Sequence, residues 1–145
     1  MIEQLSKKIK RLYGSDPEAV LKRLGVTIIE CPLAGRIKEI YFGDFVVVKS
    51  NIDEAYRRYY LAHALGHHLI HQKGNYLYCD SFDHLNTIKR EAEAEDFAAH
   101  FLCGAKTPFL KMLRENAESP IEAVAEDLQV APEILARRIN MYVRN

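Results

Sequence analysis

The distribution of hydrophobic periodicities predicts an α+β fold: a small β-sheet packed against helices, followed by an all-helical tail. Three observations carry this. Two short runs rich in β-branched residues, VTIIE and FVVVK, lie between residues 26 and 49. Longer segments before and after them place apolar residues at helical spacing. Prolines suited to a first helical turn then recur at Pro108, Pro120 and Pro132.

Ile2, Leu5, Ile9 and Leu12 share one face of a helix over residues 2–13. Asp16-Pro17 starts a second helix, since aspartate caps free amides and proline fits the first turn; Gly25 ends it. Val26 to Glu30 reads as a strand. Ile37 to Phe42 and Phe45 to Lys49 read as a hairpin around the two-residue turn Gly43-Asp44. Asn51 or Asp53 caps a long helix reaching about His71. Residues 72–86, with Gly74, Asn75, Asp80, Ser81 and Asp83, read as a loop. A helix from about Ile88, capped by Asn86 or Thr87, runs to Gly104, and three shorter helices follow at Thr107-Pro108, Ser119-Pro120 and Ala131-Pro132. There is no internal repeat.

The 145 residues, nearly half of them hydrophobic, suit one domain over residues 1–106 with a helical subdomain over 107–145 packed on it. Lys plus Arg equals Asp plus Glu, at 20 each, so there is no overall electrostatic footprint for nucleic acid or acidic lipid. The opening MIEQLSKK carries no signal-peptide core, and no run approaches the ~18 apolar residues of a membrane span. Cys31, Cys79 and Cys103 are odd in number and form no CxxC pair. A reduced, cytoplasmic protein is the expectation.

The chemistry concentrates in YYLAHALGHHLIH, residues 59–71. His63 and His67, four apart on a helix, project from one face and can reach a single tetrahedral ion. In hydrolytic sites of this type a glutamate follows the first histidine and takes the proton of the attacking water. Here that position is Ala64. A bare H-x-x-x-H pair also arises from packing, so the third ligand decides the matter.

The position ten residues after His63, used in one extended motif, is Lys73 and offers no ligand. His71 lies on the same helix, where three ligands cannot easily surround one ion, and reads as a residue behind the ligands, orienting them. His68 reads as packing. In REAEAEDFAAHFLC, Ala94, Phe97, Ala98, Phe101 and Leu102 define the inward face, and Glu91 falls within that arc. Glu93 points towards the opposite edge and Glu95 sits at the border. A carboxylate on a buried face is costly unless paired or bound to metal, which favours Glu91 as third ligand. The plainer alternative is a salt bridge at the helix start.

Together, Arg58 to His63 leading into HALGH, His71, and Glu91-x-x-Ala94-x-x-Phe97-Ala98-Ala99 resemble the ImmA/IrrE metallopeptidases over most of the chain. The resemblance implies a zincin-like fold with a central metal-binding helix, Zn2+ held by His63, His67 and Glu91, and an intracellular protease. It also implies a protein partner, either a repressor that is cleaved or a helix-turn-helix regulator. Two positions depart from the family pattern: Ala64 for the catalytic glutamate, and Gly104 for the proline that often closes the second motif.

Ala64 leaves metal binding possible but removes the proton carrier, typically a loss of ~10²–10⁴ in rate. The intact remainder of the site favours a deliberate Glu-to-Ala substitution over a natural pseudo-enzyme. Residues 121–139 have the cadence of a helix-turn-helix, with Arg137, Arg138 and Arg144 as possible phosphate contacts. Glu122, Glu126, Asp127 and Glu133 oppose this, so a helical cap is favoured over a DNA-reading module. Phe45 to Lys49 would pair with an extended peptide if it were an edge strand. Tyr56, Tyr59, Tyr60, Tyr76 and Tyr78 surround the site in sequence; one hydroxyl near zinc would stabilise an oxyanion.

Overall fold

The structure, a computed structural model, describes residues 1–71 and 84–144, with the side chains of 84–87 and 144 left out of the description. Its elements run α1 (Ile2–Tyr13), α2 (Pro17–Arg23), β1 (Thr27–Cys31), β2 (Glu39–Phe42), β3 (Phe45–Lys49), α3 (Glu54–Ile70), α4 (His84–Cys103), α5 (Lys106–Glu115), α6 (Ile121–Leu128) and α7 (Pro132–Arg144). The α+β expectation holds. Asp16 accepts a hydrogen bond from the amide of Glu18, with Pro17 opening α2, and the chain leaves α2 through Gly25 at φ 85°.

Several boundaries differ from expectation: β2 starts at Glu39 rather than Ile37, α5 starts at Lys106, one residue before Thr107-Pro108, and β1 and α4 also shift. Strand β1 starts and ends one residue later than Val26–Glu30, because Val26 turns into the core at 3% exposure. Helix α4 begins at His84 and continues through Asn86 and Thr87, so neither is its cap. Their modest helix propensity does not outweigh continuation of the backbone ladder. The rest of the expected loop, with Tyr76, Tyr78 and Cys79, lies outside the described residues.

The sheet order is β1-β3-β2. β2 and β3 form the expected hairpin, with Phe42 opposite Phe45 across the Gly43-Asp44 turn, and β1 lies parallel to β3 with Thr27 beside Phe45. β3 is therefore the interior strand, and the described sheet edges belong to β1 and β2. Side-chain alternation sends Val46 and Val48 of β3, and Glu39 and Tyr41 of β2, to the same face. Both valines are fully buried there, and Tyr41 is 2% exposed.

α3 packs on that face and against α4, and one continuous core joins Val20, Leu21, Leu61, Leu65, Phe97 and Phe101 with Val124, Ile134 and Leu135 of the tail. The tail is tied to the rest by charged groups. Arg137 of α7 donates to Asp96 at 2.9 Å and to the carbonyl of Ala92 at 3.2 Å, and its guanidinium stands 2.7 Å from Glu95, all on α4. Arg138, 3% exposed, donates to the carbonyl of Gly104 and lies over the Phe109 ring. Tyr56 of α3 donates to the Glu133 carboxylate at the start of α7. Among the described residues no helix is long and apolar enough to cross a membrane.

Candidate metal centre

Helical spacing does for His63 and His67 what the sequence implies. Their rings sit 4.7 Å apart, nearly perpendicular, on the buried side of α3. Glu91 arrives from α4. One of its oxygens, Oε2, lies 2.9 Å from His63 Nε2, and the other, Oε1, lies 2.9 Å from His67 Nε2. The ligand atoms of the three residues all fall within 4.8 Å of one another. Without a metal, Glu91 stands as the ion-pair partner of the two histidines, so the plainer salt-bridge alternative describes the same contacts.

The donor set fits a metal. His63 Nε2 and Glu91 Oε1 are shut off from solvent and take part in no hydrogen bond of acceptable geometry, although oxygen and nitrogen atoms crowd them at contact distance. Buried polar atoms without a well-aligned hydrogen bond are costly, and a cation shared by the three residues would satisfy them. Two imidazole nitrogens and a carboxylate form the donor set of catalytic zinc sites that keep one position open.

Each histidine is held from behind. Both oxygens of Glu39 stand 2.8–2.9 Å from His63 Nδ1. His71, the cap residue of α3, places its Nδ1 3.0 Å from His67 Nδ1, and its Nε2 faces Glu93 at 3.6 Å. Glu93 thus turns towards α3 rather than the opposite edge, because its long side chain reaches round the helix to the imidazole. His68 takes the packing role expected of it: its Nδ1 is 2.8 Å from the Tyr41 hydroxyl, which fastens α3 to β2. Tyr41 also stacks its ring parallel to His67 at 6.0 Å.

The electrostatics follow from this enclosure. Burial on its own would depress the His63 imidazolium, but Glu39 and Glu91 beside it outweigh that and push it up to about 10. Burial raises the Glu91 carboxyl while the two histidines pull it down, leaving it at about 2. Burial holds His71 below its ordinary value, with His67 adding to the effect. The Cys103 thiol is pushed up to about 12 by burial, so it behaves as the inert small hydrophobe expected.

Ala64 is fully buried. A cleft of about 370 Å³ opens beside the site, lined by Arg36, Lys38, Glu39, Tyr59, Tyr60 and His63 among others. The Tyr59 ring packs 6.0 Å from that of His63, and burial raises its hydroxyl well above the usual phenol range. Tyr56 is directed to Glu133 of the tail instead. Glu39 is the residue that sequence reasoning passed over. Its strand parity with Tyr41 is visible in the sequence, but which face turns inward is set by how the sheet lies on α3.

A small mixed sheet lying on a helix that presents two histidines, with a carboxylate supplied by the next helix, is the arrangement of a metallopeptidase-like domain with a candidate metal site. The chain belongs to the family of the IrrE N-terminal-like domain, Peptidase M78, whose family model matches residues 21–140. It is also similar to a phage protein, the uncharacterized immunity region protein 2 of Bacillus phage phi105, with 28% identity over 98 residues. That stretch is 65% of this chain and 62% of the phage protein, so the chain matches less than two thirds of that relative's length.

Proposed function

We propose that His63, His67 and Glu91 bind one zinc ion, and that the domain is a cytoplasmic regulatory metallopeptidase whose hydrolytic step is disabled by Ala64. The observation that carries this is the convergence of two Nε2 atoms and both Glu91 oxygens at 2.9 Å, with His63 Nε2 and Glu91 Oε1 shut off from solvent. Zinc, when bound, supplies Lewis acidity and makes a water a nucleophile near neutral pH. The chain's own residues orient the ligands: Glu39 behind His63, His71 behind His67. No carboxylate stands at position 64 to carry a proton to the leaving amine.

The substrate or partner we assign is a regulatory protein of the repressor or helix-turn-helix class. Membership of the family and the immunity-region name of the phage relative support it. The intact ligand set around one missing carboxylate fits a substitution at position 64 better than a decayed site. A second reading, a natural non-catalytic binder of the same partner, rests on the full burial of Ala64. DNA binding by the tail has little support, because Arg137 and Arg138 are engaged with Glu95, Asp96 and Gly104.

The test is zinc content of the purified chain by elemental mass spectrometry, beside a Glu91→Ala variant. About one zinc per chain, lost in the variant, is expected; a metal-replete preparation without zinc sinks the proposal. Ala64→Glu then separates the two readings, since the disabled peptidase gains zinc-dependent cleavage of its partner and the natural binder does not.

A further inference from the structure

A neutral imidazole that ligates through Nε2 must carry its proton on Nδ1, and something must accept that proton if the nitrogen is buried. For His63 the acceptor is the carboxylate of Glu39, with Oε2 at 2.8 Å and Oε1 at 2.9 Å from Nδ1. The Glu39 side chain is only 8% exposed, on the inward face of an edge strand. Isolated burial of a carboxylate is strongly unfavourable, so its place there calls for a function.

We infer that Glu39 is a positioning residue of the metal centre: it fixes the Nδ1-protonated tautomer and the ring plane of His63, so that the Nε2 lone pair faces the ion. The inference rests on the metal-binding reading above. It gives the two histidines different support. His63 is backed by an anion, whereas His67 is backed by an imidazole, His71, at 3.0 Å. An anion in direct contact strengthens its imidazole as a ligand, whereas the Glu93 carboxylate, 3.6 Å from His71 Nε2, acts on His67 only through the His71 ring.

Two other roles fit less well. A mere strap between β2 and α3 is redundant, because the Tyr41 hydroxyl already bonds His68 two residues further along the strand at 2.8 Å. A replacement for the glutamate missing at position 64 is excluded by placement. Both Glu39 oxygens lie against Nδ1, with the imidazole ring between them and Nε2. Glu39 also lines the cleft beside the site, but both its oxygens are engaged at His63 Nδ1, so it acts on the ligand from behind.

The experiment is a zinc titration against a competing chromogenic chelator for the unmodified chain, Glu39→Gln and Glu39→Ala, with cobalt(II) absorption spectra of each. Thermal melts of the metal-free forms run alongside. Glu39→Ala is expected to weaken zinc binding on the order of 10- to 100-fold and to alter the cobalt spectrum. Glu39→Gln keeps an acceptor but loses the charge, and falls in between. This near-isosteric variant carries the test if the alanine form does not fold. Equal zinc affinity and unchanged cobalt spectra in folded variants, with zinc bound by the unmodified chain, overturn this inference alone. No zinc in the unmodified chain overturns the metal reading and this inference with it.

Discussion

Gly66 of α3 lies directly against Ala94 of α4: a Cβ at position 66 would stand 3.1 Å from both the Ala94 Cα and its carbonyl oxygen, and 3.2 Å from Phe97 Cβ. The two helices can approach this closely only because position 66 has no side chain. Gly66 is next to His67, and Ala94 is one turn beyond Glu91, so the crossing sets the distance between the ligands. Gly66→Ala must push backbone, which costs about 1–3 kcal/mol of overpacking, against roughly 1 kcal/mol regained in helix propensity. The expected outcome is a modest stability loss in urea melts together with weaker zinc binding. Unchanged zinc affinity in a destabilised variant would show that the crossing does not position Glu91.

What the sequence disclosed follows the range of the interactions involved. The starts at Pro17, Pro120 and Pro132 follow from the fixed φ of proline, helped at Pro17 by the Asp16 cap, so they were legible. The His63–His67–Glu91 cluster was legible because i,i+4 spacing and a 100° arc bring the three together without knowledge of the fold. The parallel pairing of β1 with β3 was not, because it depends on contacts across the intervening hairpin. Glu39 depended on that sheet's orientation over α3. The inward turn of Arg137 and Arg138 depended likewise on how α7 docks on α4; composition alone left phosphate contact open for both.

Removing the metal should expose a pH dependence. Without metal, Glu39 and Glu91 push His63 up to about 10, above its unfolded value near 6.5. Its contribution is therefore fully present below pH 6.5 and is lost as pH rises through about 10. Glu91, at about 2 against 4.5 unfolded, contributes above pH 4.5 and loses that as pH falls towards 2. The chelated protein should be most stable between these limits and melt at lower temperature on going from pH 6.5 to about 9. Zinc binding, which needs the neutral ring, should tighten over the same interval. A flat melting profile for the chelated protein would contradict the His63–Glu39–Glu91 charge arrangement.

Restoring the glutamate has a structural cost as well as a catalytic gain. Ala64 is fully enclosed and belongs to the apolar core cluster. Ala64→Glu places a carboxylate in that enclosure, and without metal it should destabilise the chain by about 2–4 kcal/mol. With zinc present the carboxylate gains water and charge to interact with, so zinc should raise the melting temperature more in this variant than in the unmodified chain. Differential scanning fluorimetry with and without zinc measures this directly. Equal zinc-induced shifts in the two proteins would mean that the position 64 side chain does not meet the metal site.

Two arginines of the tail separate packing from nucleic-acid binding. Arg138 is almost wholly buried, and its guanidinium is the donor to the Gly104 carbonyl where α4 ends at φ 94°. Arg138→Ala leaves that carbonyl short of a donor and strips the contact with the Phe109 ring, a loss of about 2–4 kcal/mol. Arg137 is partly exposed, so solvent screens its pairs with Glu95 and Asp96; Arg137→Ala should cost less, about 1–2 kcal/mol. A duplex-binding tail would invert this order, with both substitutions weakening DNA binding and leaving urea midpoints nearly unchanged. Urea denaturation of the two variants, beside low-salt duplex titration, distinguishes the cases. Stability losses ranked Arg138 above Arg137, without duplex binding in the parent, assign both arginines to holding α7 on α4.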